Sequence, residues 1–269
     1  MSTIVFVHAH PDDEASQTSG MMARAVAEGH RVVCVYATGG EHGTRPAALG
    51  DGSLAELRRQ EAEAAAEVIG THRVEWLGYL DSGMHGWESN GSAGALWIAD
   101  LPPAIHQVTK ILDQEAADVI VGYDWHGGYG HPDHVMVHRI ARAAAERARK
   151  PLRYLEATMN RDRMREMIAR ASAAGLLPSG EEWDIDAPQA DGNPVGTPEA
   201  ELSWAVDVSE FLDLKRAALG CHSSQEDAAG MLSLPQAAFA AWMGTEHYRE
   251  PARPAGMVSG WPLEVALKG

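Results

Sequence analysis

The 269-residue chain is poor in cysteine, and the two it has, Cys34 and Cys221, stand far apart and in no CxxC pattern. That excludes a disulfide framework and leaves buried thiols as the default reading. Basic charge is also scarce: 22 Lys and Arg stand against 38 Asp and Glu, for a formal charge of −16. Lysine is confined to Lys110, Lys150, Lys215 and Lys268, and no basic patch is visible. Such a surface repels phosphate backbones and anionic lipid, so nucleic acid is not expected as a partner. No apolar run approaches the roughly eighteen residues of a membrane span, and no charged segment precedes the first apolar run. The expectation is a cytoplasmic protein without a membrane segment. No GxGxxG follows the first apolar run, and the glycines at 39–43 read GGEHG, so a dinucleotide-binding function is rejected.

What the chain does have is alternation. Short continuous apolar runs at 3–8, 31–40, 73–80 and 117–125 fit strands buried on both faces, as in a parallel sheet. Helical patterns lie between and after them, at 13–28, 53–70, 101–116 and 133–149. The helix at 53–70 carries its own punctuation: Ser53 as N-cap, Glu56 completing a capping box, and Gly70 as the stop. Pro11 fits the first turn of the helix before it. The fold class expected is therefore α/β, a Rossmann-like, mostly parallel sheet with helices on both faces. Beyond 150 the pattern loosens: LRYLEATM (152–159) reads as another strand, and a smaller irregular C-terminal part follows from 160. It has one further helix (160–174), a late strand (204–209), helices at 209–221 and 234–243, and a Pro/Gly-rich tail over the surface. Residues 83–97 and 175–201 read as loops that select the substrate. The whole is expected to form a single domain, 1–159 as core and 160–269 as excursion.

Two stretches place chemistry at strand ends. The first is 9-AHPDDE-14, hard against the apolar run that ends at His8. Acidic residues at a helix N-terminus are favoured by the macrodipole and need no function, which accounts for Glu14 and leaves His8 structural. His10 changes the reading. His10 and Asp13 are three apart across a strand-to-helix turn, so both can face one point, and both are zinc ligand types. Asp12 points elsewhere on the same turn, close to a metal without binding it. The second stretch is 126-HGGYGHPDHVMVH-138, which also follows a buried run and opens a helix. His131 and His134 are three apart, and Asp133 between them can hydrogen-bond one imidazole and fix its tautomer. Open α/β sheets bind ligands beyond the carboxyl ends of their strands, so the two turns can converge. His10, Asp13 and one of His131 or His134 then make a three-ligand site, the pattern of catalytic rather than structural zinc.

At these residues the chain resembles the LmbE/PIG-L superfamily of zinc-dependent N-deacetylases. AHPDDE (9–14) and GHPDH (130–134) carry the resemblance, and three further segments extend it: ELRRQEAEAAAEVIG (56–70), WLGYLDSGM (76–84) and DVSEFLDLKRAALGCHSSQ (207–225). The resemblance implies that His10, Asp13 and His134 bind Zn2+, or another divalent metal such as Fe2+. It implies that Asp12 is the general base and that His131, kept cationic and oriented by Asp133, assists the oxyanion and the leaving group. Tyr129 becomes a mobile oxyanion donor, and Arg58 and Asp81 contact sugar hydroxyls. The function implied is hydrolysis of an N-acetyl amide on an N-acetylglucosamine-type glycoconjugate, releasing acetate and a free amine. Two alternatives stand beside it: an amidase cleaving a mycothiol-type S-conjugate, and a non-catalytic zinc-dependent sugar-binding module. The partner expected is a small-molecule glycoconjugate, and a homo-oligomer is compatible with the sequence.

Overall fold

A computed structural model describes residues 1–173, 184–254 and 256–264. Strands β1 (Thr3–His8), β2 (Arg31–Thr38), β3 (Arg73–Tyr79), β4 (Val119–Tyr123) and β5 (Arg153–Thr158) pair in parallel in the order β3-β2-β1-β4-β5. Side chains on a strand alternate between faces, and here both faces are covered. Ile4, Phe6, Val32 and Cys34 pack on one side with Met21, Met22, Ala62 and Ala65. Val5, Val7, Val33 and Val35 pack on the other with Ile105, Val108, Val137 and Ile140. The first side is carried by α1 (Ser19–Ala27) and α2 (Leu54–Ile69), the second by α3 (Leu101–Gln114) and α4 (Pro132–Arg147).

The strand order reverses between β1 and β4, which pair directly with Phe6 opposite Val121. The crevice beyond their carboxyl ends is the switch point at which such sheets bind ligands. The turns that carry the two histidine motifs leave from these two strands.

Local signals behave largely as the sequence predicts. Ser53 Oγ accepts the Glu56 N–H at 3.2 Å, and Gly70, at φ +83°, donates its N–H to the Ala66 carbonyl at 3.0 Å. Only half of the capping box forms, because the Glu56 carboxylate accepts from Gln60 instead. The first helix differs more. It begins with a π-helical turn, Glu14–Thr18, before α1, and Pro11 lies ahead of it in the turn rather than in its first turn.

The C-terminal part is more ordered than its pattern suggests. After α5 (Arg161–Ala173) come β6 (Trp204–Asp207), α6 (Leu212–Cys221), α7 (Glu226–Ser233), α8 (Gln236–Met243), β7 (Thr245–Arg249) and β8 (Val258–Ser259). β7 runs antiparallel to β5, β6 antiparallel to β7 and β8 parallel to β6, completing an eight-stranded sheet. β7 escapes the sequence reading because TEHYR offers no apolar run. The tail expected over the surface returns Trp261 to the core at 2% exposure, with the Arg24 guanidinium 4.4 Å from its ring centre. Residues 175–183 of the long loop lie outside the described residues.

Glu246 docks this part onto the core. Its carboxylate accepts the N–H groups of Gly20 and Met21 at the start of α1, both at 2.9 Å, and the Lys215 ammonium of α6 at 2.5 Å. Tyr248 donates its hydroxyl to it at 2.8 Å. Glu246→Ala strands Lys215, 1% exposed, without its counter-charge. Removing one partner of a buried pair costs about 3–5 kcal/mol, so denaturant unfolding should show a loss of that size. A loss below about 1 kcal/mol, the scale of a surface pair, would show that the pair is solvated.

Candidate active site

The turn after β1 sets the first half of the site. His10 donates its backbone N–H to Asp13 Oδ2 at 2.9 Å, which folds the motif back on itself. Asp12 sits at φ +100°, a backbone region that costs a non-glycine residue about 1–3 kcal/mol and persists only where its surroundings enforce it. The turn after β4 sets the second half. Gly127 approaches His134 so closely that a Cβ would lie 2.3 Å from the histidine Cβ, and its φ is +68°. His131 caps α4, its Nδ1 accepting the Asp133 backbone N–H at 3.1 Å.

These turns bring His10, His131 and His134 together, one ring nitrogen of each within 4.8 Å of the others. Asp13 Oδ2 lies between two of them, 3.5 Å from His10 Nδ1 and 3.3 Å from His134 Nε2. It also accepts the Tyr123 hydroxyl at 2.8 Å, while Oδ1 accepts from Gln17 at 3.1 Å. His134 is bonded through Nδ1 to the Gly127 carbonyl at 3.1 Å, which makes Nδ1 the donor and leaves a lone pair on Nε2. That Nε2 is buried and has no hydrogen-bond partner. A backbone carbonyl fixing one imidazole nitrogen while the other faces a carboxylate and a second imidazole is the arrangement of a metal ligand. The donor set fits a divalent metal.

Electrostatics separate the groups. Burial would lower the His10 pKa, but Asp81, Asp13 and Asp133 outweigh it and raise it well above the usual value. Burial likewise opposes ionisation of Asp13, yet His134 and His10 hold its pKa well below the ordinary range. Burial pushes His131 down to about 2, with His10 and His134 adding to it, so that ring is neutral. Burial pushes Asp12 up to about 6 against the pull of Arg58. Tyr129 lies beside the cluster, its ring centre 5.0 Å from that of His134, and burial keeps its phenol protonated.

Three expected roles change with the geometry. Asp133 does not orient His131 with its side chain. Its buried carboxylate accepts from His10 Nε2 at 3.2 Å and from the Ser82 N–H at 2.9 Å, with the Ser82 hydroxyl on its other oxygen. Only its backbone N–H reaches His131, so the Asp133 carboxylate does not hold that ring cationic, and the pull of Asp81 and Asp13 is outweighed by burial and the neighbouring imidazoles. Asp81, 5% exposed, is beside His10 at 3.5 Å and accepts the N–H groups of His42 and Gly83, rather than standing open to a sugar. Arg58, 3% exposed, donates to the carbonyls of Gly40 and Pro11 and pairs with Asp12 Oδ2 at 2.9 Å. It steadies the turn and the Asp12 carboxylate.

Glu14 and His222 were missed. Glu14 is 1% exposed and accepts from both His222 Nε2 and the Asp12 N–H. Its position in the first turn has so cheap a local explanation that the sequence gives no signal of a partner. Ser82 and Tyr123 belong to no motif of chemistry either, although Ser82 lies in the WLGYLDSGM segment. His8 is structural, its ring between the hydroxyls of Tyr123 and Thr18.

Asp12, Asp13 and Tyr129 also line a cavity of about 670 Å³. Beside Met159 at the end of β5, its wall is built by the C-terminal part: Met164, Met167, Met231, Trp242 and Met243.

A histidine–carboxylate cluster at the switch point of a parallel sheet, opening on such a cavity, is the layout of a hydrolase whose donors fit a divalent metal. The chain belongs to the PIG-L family, whose model, described as GlcNAc-PI de-N-acetylase, matches residues 5–145. It is 38% identical over 234 residues to the 1D-myo-inositol 2-acetamido-2-deoxy-alpha-D-glucopyranoside deacetylase of Saccharomonospora viridis, covering 82% of this chain and 84% of that protein. It is 35% identical over 249 residues to the deacetylase of the same name from Thermobifida fusca, covering 84% of each. In fold it is similar to N,N'-diacetylchitobiose deacetylase from Pyrococcus horikoshii, with a TM-score of 0.58 and 20% identity, covering 92% of this chain and 83% of that one. The chain is thus an enzyme of the N-deacetylase class. No helix among the described residues is long and apolar enough to cross a membrane.

The Asp12–Arg58 pair yields a prediction with a fixed sign. In the metal-free protein the Asp12 carboxyl should titrate at about 6, ionised above and protonated below. Arg58→Met removes the cation that favours the carboxylate, so the midpoint must move up. Carbon-13 NMR of the Asp12 carboxyl reads it directly, and a midpoint that falls or stays would show that Arg58 does not govern this group.

Proposed function

We propose that this chain is a zinc-dependent N-deacetylase acting on an N-acetylglucosamine-type glycoconjugate, releasing acetate and a free amine. The observation that carries the proposal is the buried, unpartnered Nε2 of His134 facing Asp13, with the separately held carboxylate of Asp12 on the cavity wall beside it. The relatives support the substrate class, since their names describe a 2-acetamido sugar joined to inositol.

In this reading His10, Asp13 and His134 are the metal ligands. Zinc, when bound, supplies Lewis-acid polarisation of the amide carbonyl and acidifies water. Asp133 and Asp81 fix the His10 ring, and the Gly127 carbonyl fixes His134. Asp12 takes the proton of the attacking water and returns it to the amide nitrogen, so that the C–N bond breaks to give acetate and the free amine. In the metal-free protein burial raises the Asp12 carboxyl above the ordinary range, the direction that suits a base, since a base works best with a pKa near the operating pH. His131 is neutral, and the Asp133 N–H occupies its Nδ1, so its proton sits on Nε2. From there it donates to the developing oxyanion, with the Tyr129 hydroxyl as a second donor. Arg58 keeps the Asp12 carboxylate in place.

A second reading keeps the same machinery and changes the substrate: an amidase that cleaves a mycothiol-type S-conjugate. The methionine-rich wall favours it, because the cavity far exceeds an acetyl group and thioether side chains adapt to varied apolar shapes. The released acid, acetate or a larger one, separates the two.

A primary-amine release assay across N-acetylglucosaminides tests the reading. Chelator should abolish turnover and added zinc restore it; turnover indifferent to chelator would defeat the metal mechanism. Asp12→Asn should keep its metal and lose about 10²–10⁴-fold in kcat, the usual value of general base assistance. His134→Ala should lose metal and His131→Ala should keep it. Metal contents in the reverse order would exchange the two histidines.

A further inference from the structure

The segment 222-HSSQ-225 follows α6 and contributes nothing to the metal cluster, yet all four of its residues bond to the core of the molecule. Gln225 exchanges hydrogen bonds with both backbone groups of Thr44, accepting at 3.0 Å and donating at 3.2 Å. Ser224 donates its N–H and hydroxyl to Glu61 of α2 at 2.8 and 2.6 Å, and Ser223 adds a third bond at 3.2 Å. His222, fully buried, places Nε2 2.6 Å from Glu14 Oε1. Its Nδ1 has no hydrogen-bond partner, so Glu14 is the ring's one hydrogen-bonded contact among the described residues. The other oxygen of Glu14, Oε2, accepts the backbone N–H of Asp12 at 3.0 Å.

We infer that His222 is a positioning residue for catalysis: through Glu14 it holds the backbone of Asp12 in the conformation that aims the general base at the substrate. The inference rests on Asp12 being that base. Asp12 has φ +100°, which a non-glycine residue leaves unless it is held. The N–H of this residue is anchored by a carboxylate that is itself anchored, on its second oxygen, by an imidazole 208 residues away. Arg58 holds the other end of the same residue, at Oδ2. Loss of the His222 contact frees Glu14 to rotate and lets the peptide at Asp12 relax. None of the proposed metal ligands takes a hydrogen bond from His222 or the Glu14 side chain, so metal and substrate affinity should survive while turnover falls.

The test uses the zinc-reconstituted full chain and reads kcat, KM, bound metal and melting temperature for His222→Leu, His222→Gln and Glu14→Gln. Glutamine at 222 sets an amide N–H where the imidazole Nε2–H lies. Glutamine at 14 offers one acceptor to two donors. The leucine variant should lose at least about tenfold in kcat with KM within about twofold, the signature of an interaction that serves the transition state. The glutamine variant at 222 should recover most of that loss. Glu14→Gln should fall like the leucine variant, and the double variant should fall no further, because the two residues act in one path. Three outcomes overturn the inference: kcat within about twofold of the parent in the leucine variant, a loss that merely tracks metal or folded fraction, or additive losses in the double variant. Should the leucine variant fail to fold, Glu14→Gln and His222→Gln carry the comparison alone. Asp12→Asn, assayed alongside, isolates the premise: full turnover there removes Asp12 as the base, whatever His222 does.

Discussion

The Tyr123 hydroxyl is the contact on which the site depends. It is the last residue of β4, and it accepts the Ala9 N–H at 3.0 Å while donating to Asp13 Oδ2 at 2.8 Å. Its ring stacks on His134 at 4.3 Å between centres. One buried side chain thus grips the turn after β1, fixes the oxygen nearest two imidazoles, and braces the histidine of the other motif. This is available only because β1 and β4 are parallel neighbours in a register that brings His8 and Tyr123 level. Shift that pairing by one residue and every side chain changes face. The two halves of the cluster, more than a hundred residues apart in sequence, would then point into opposite layers.

The same convergence creates an electrostatic demand. Asp13, Asp81 and Asp133 are all less than a tenth exposed, and Glu14 nearly sealed. Buried carboxylates persist only when paired and hydrogen-bonded. His222 answers Glu14, Arg58 answers Asp12, and the remaining three converge on His10. The direction of the His10 shift follows: burial argues for a neutral ring, and three surrounding carboxylates overrule it. Three carboxylates converging on one buried imidazole call for positive charge, and a divalent ion meets that need. His131 stands apart from this demand. Its Nδ1 is spent as a helix cap, and burial holds its pKa down.

The sequence made legible what depends on local pattern. β1, β2 and β4 were readable because strands buried on both faces must be continuous apolar runs, and Ser53 and Gly70 marked α2 because cap chemistry is local. His10, Asp13 and His134 were readable because strand-to-helix turns impose their spacing. What failed was whatever a distant partner decides. Asp133 is adjacent to His134 and two residues from His131, yet its carboxylate goes to His10, 123 residues away, since helix entry aims it across the crevice. Arg58 and Asp81 look like surface recognition groups until α2 and the loop after β3 fold them inward. Glu14 looked like an ordinary first-turn acid because its partner lies in α6's far flank. β7 was invisible for a related reason: Glu246 and Tyr248 are buried by mutual hydrogen bonding with Lys215 and α1, not by apolarity.

The chemistry and its selectivity are built by different parts of the chain. Every member of the cluster comes from residues 8–134, on turns leaving the parallel half of the sheet. The far wall of the cavity comes instead from α5, α7, α8 and the end of β5, elements that the antiparallel strand β7 and its Glu246–Lys215 pair fasten to the core. The family match at 5–145 covers the first set and stops before the second. Substitutions in the methionine-rich wall can therefore change what the cavity admits without touching the histidine–carboxylate cluster. Asp12 and this wall line one cavity, and β7 joins the wall's elements to the sheet through β5. A single buried carboxylate on that strand thus links the stability of the C-terminal part to the shape of the cavity that Asp12 lines.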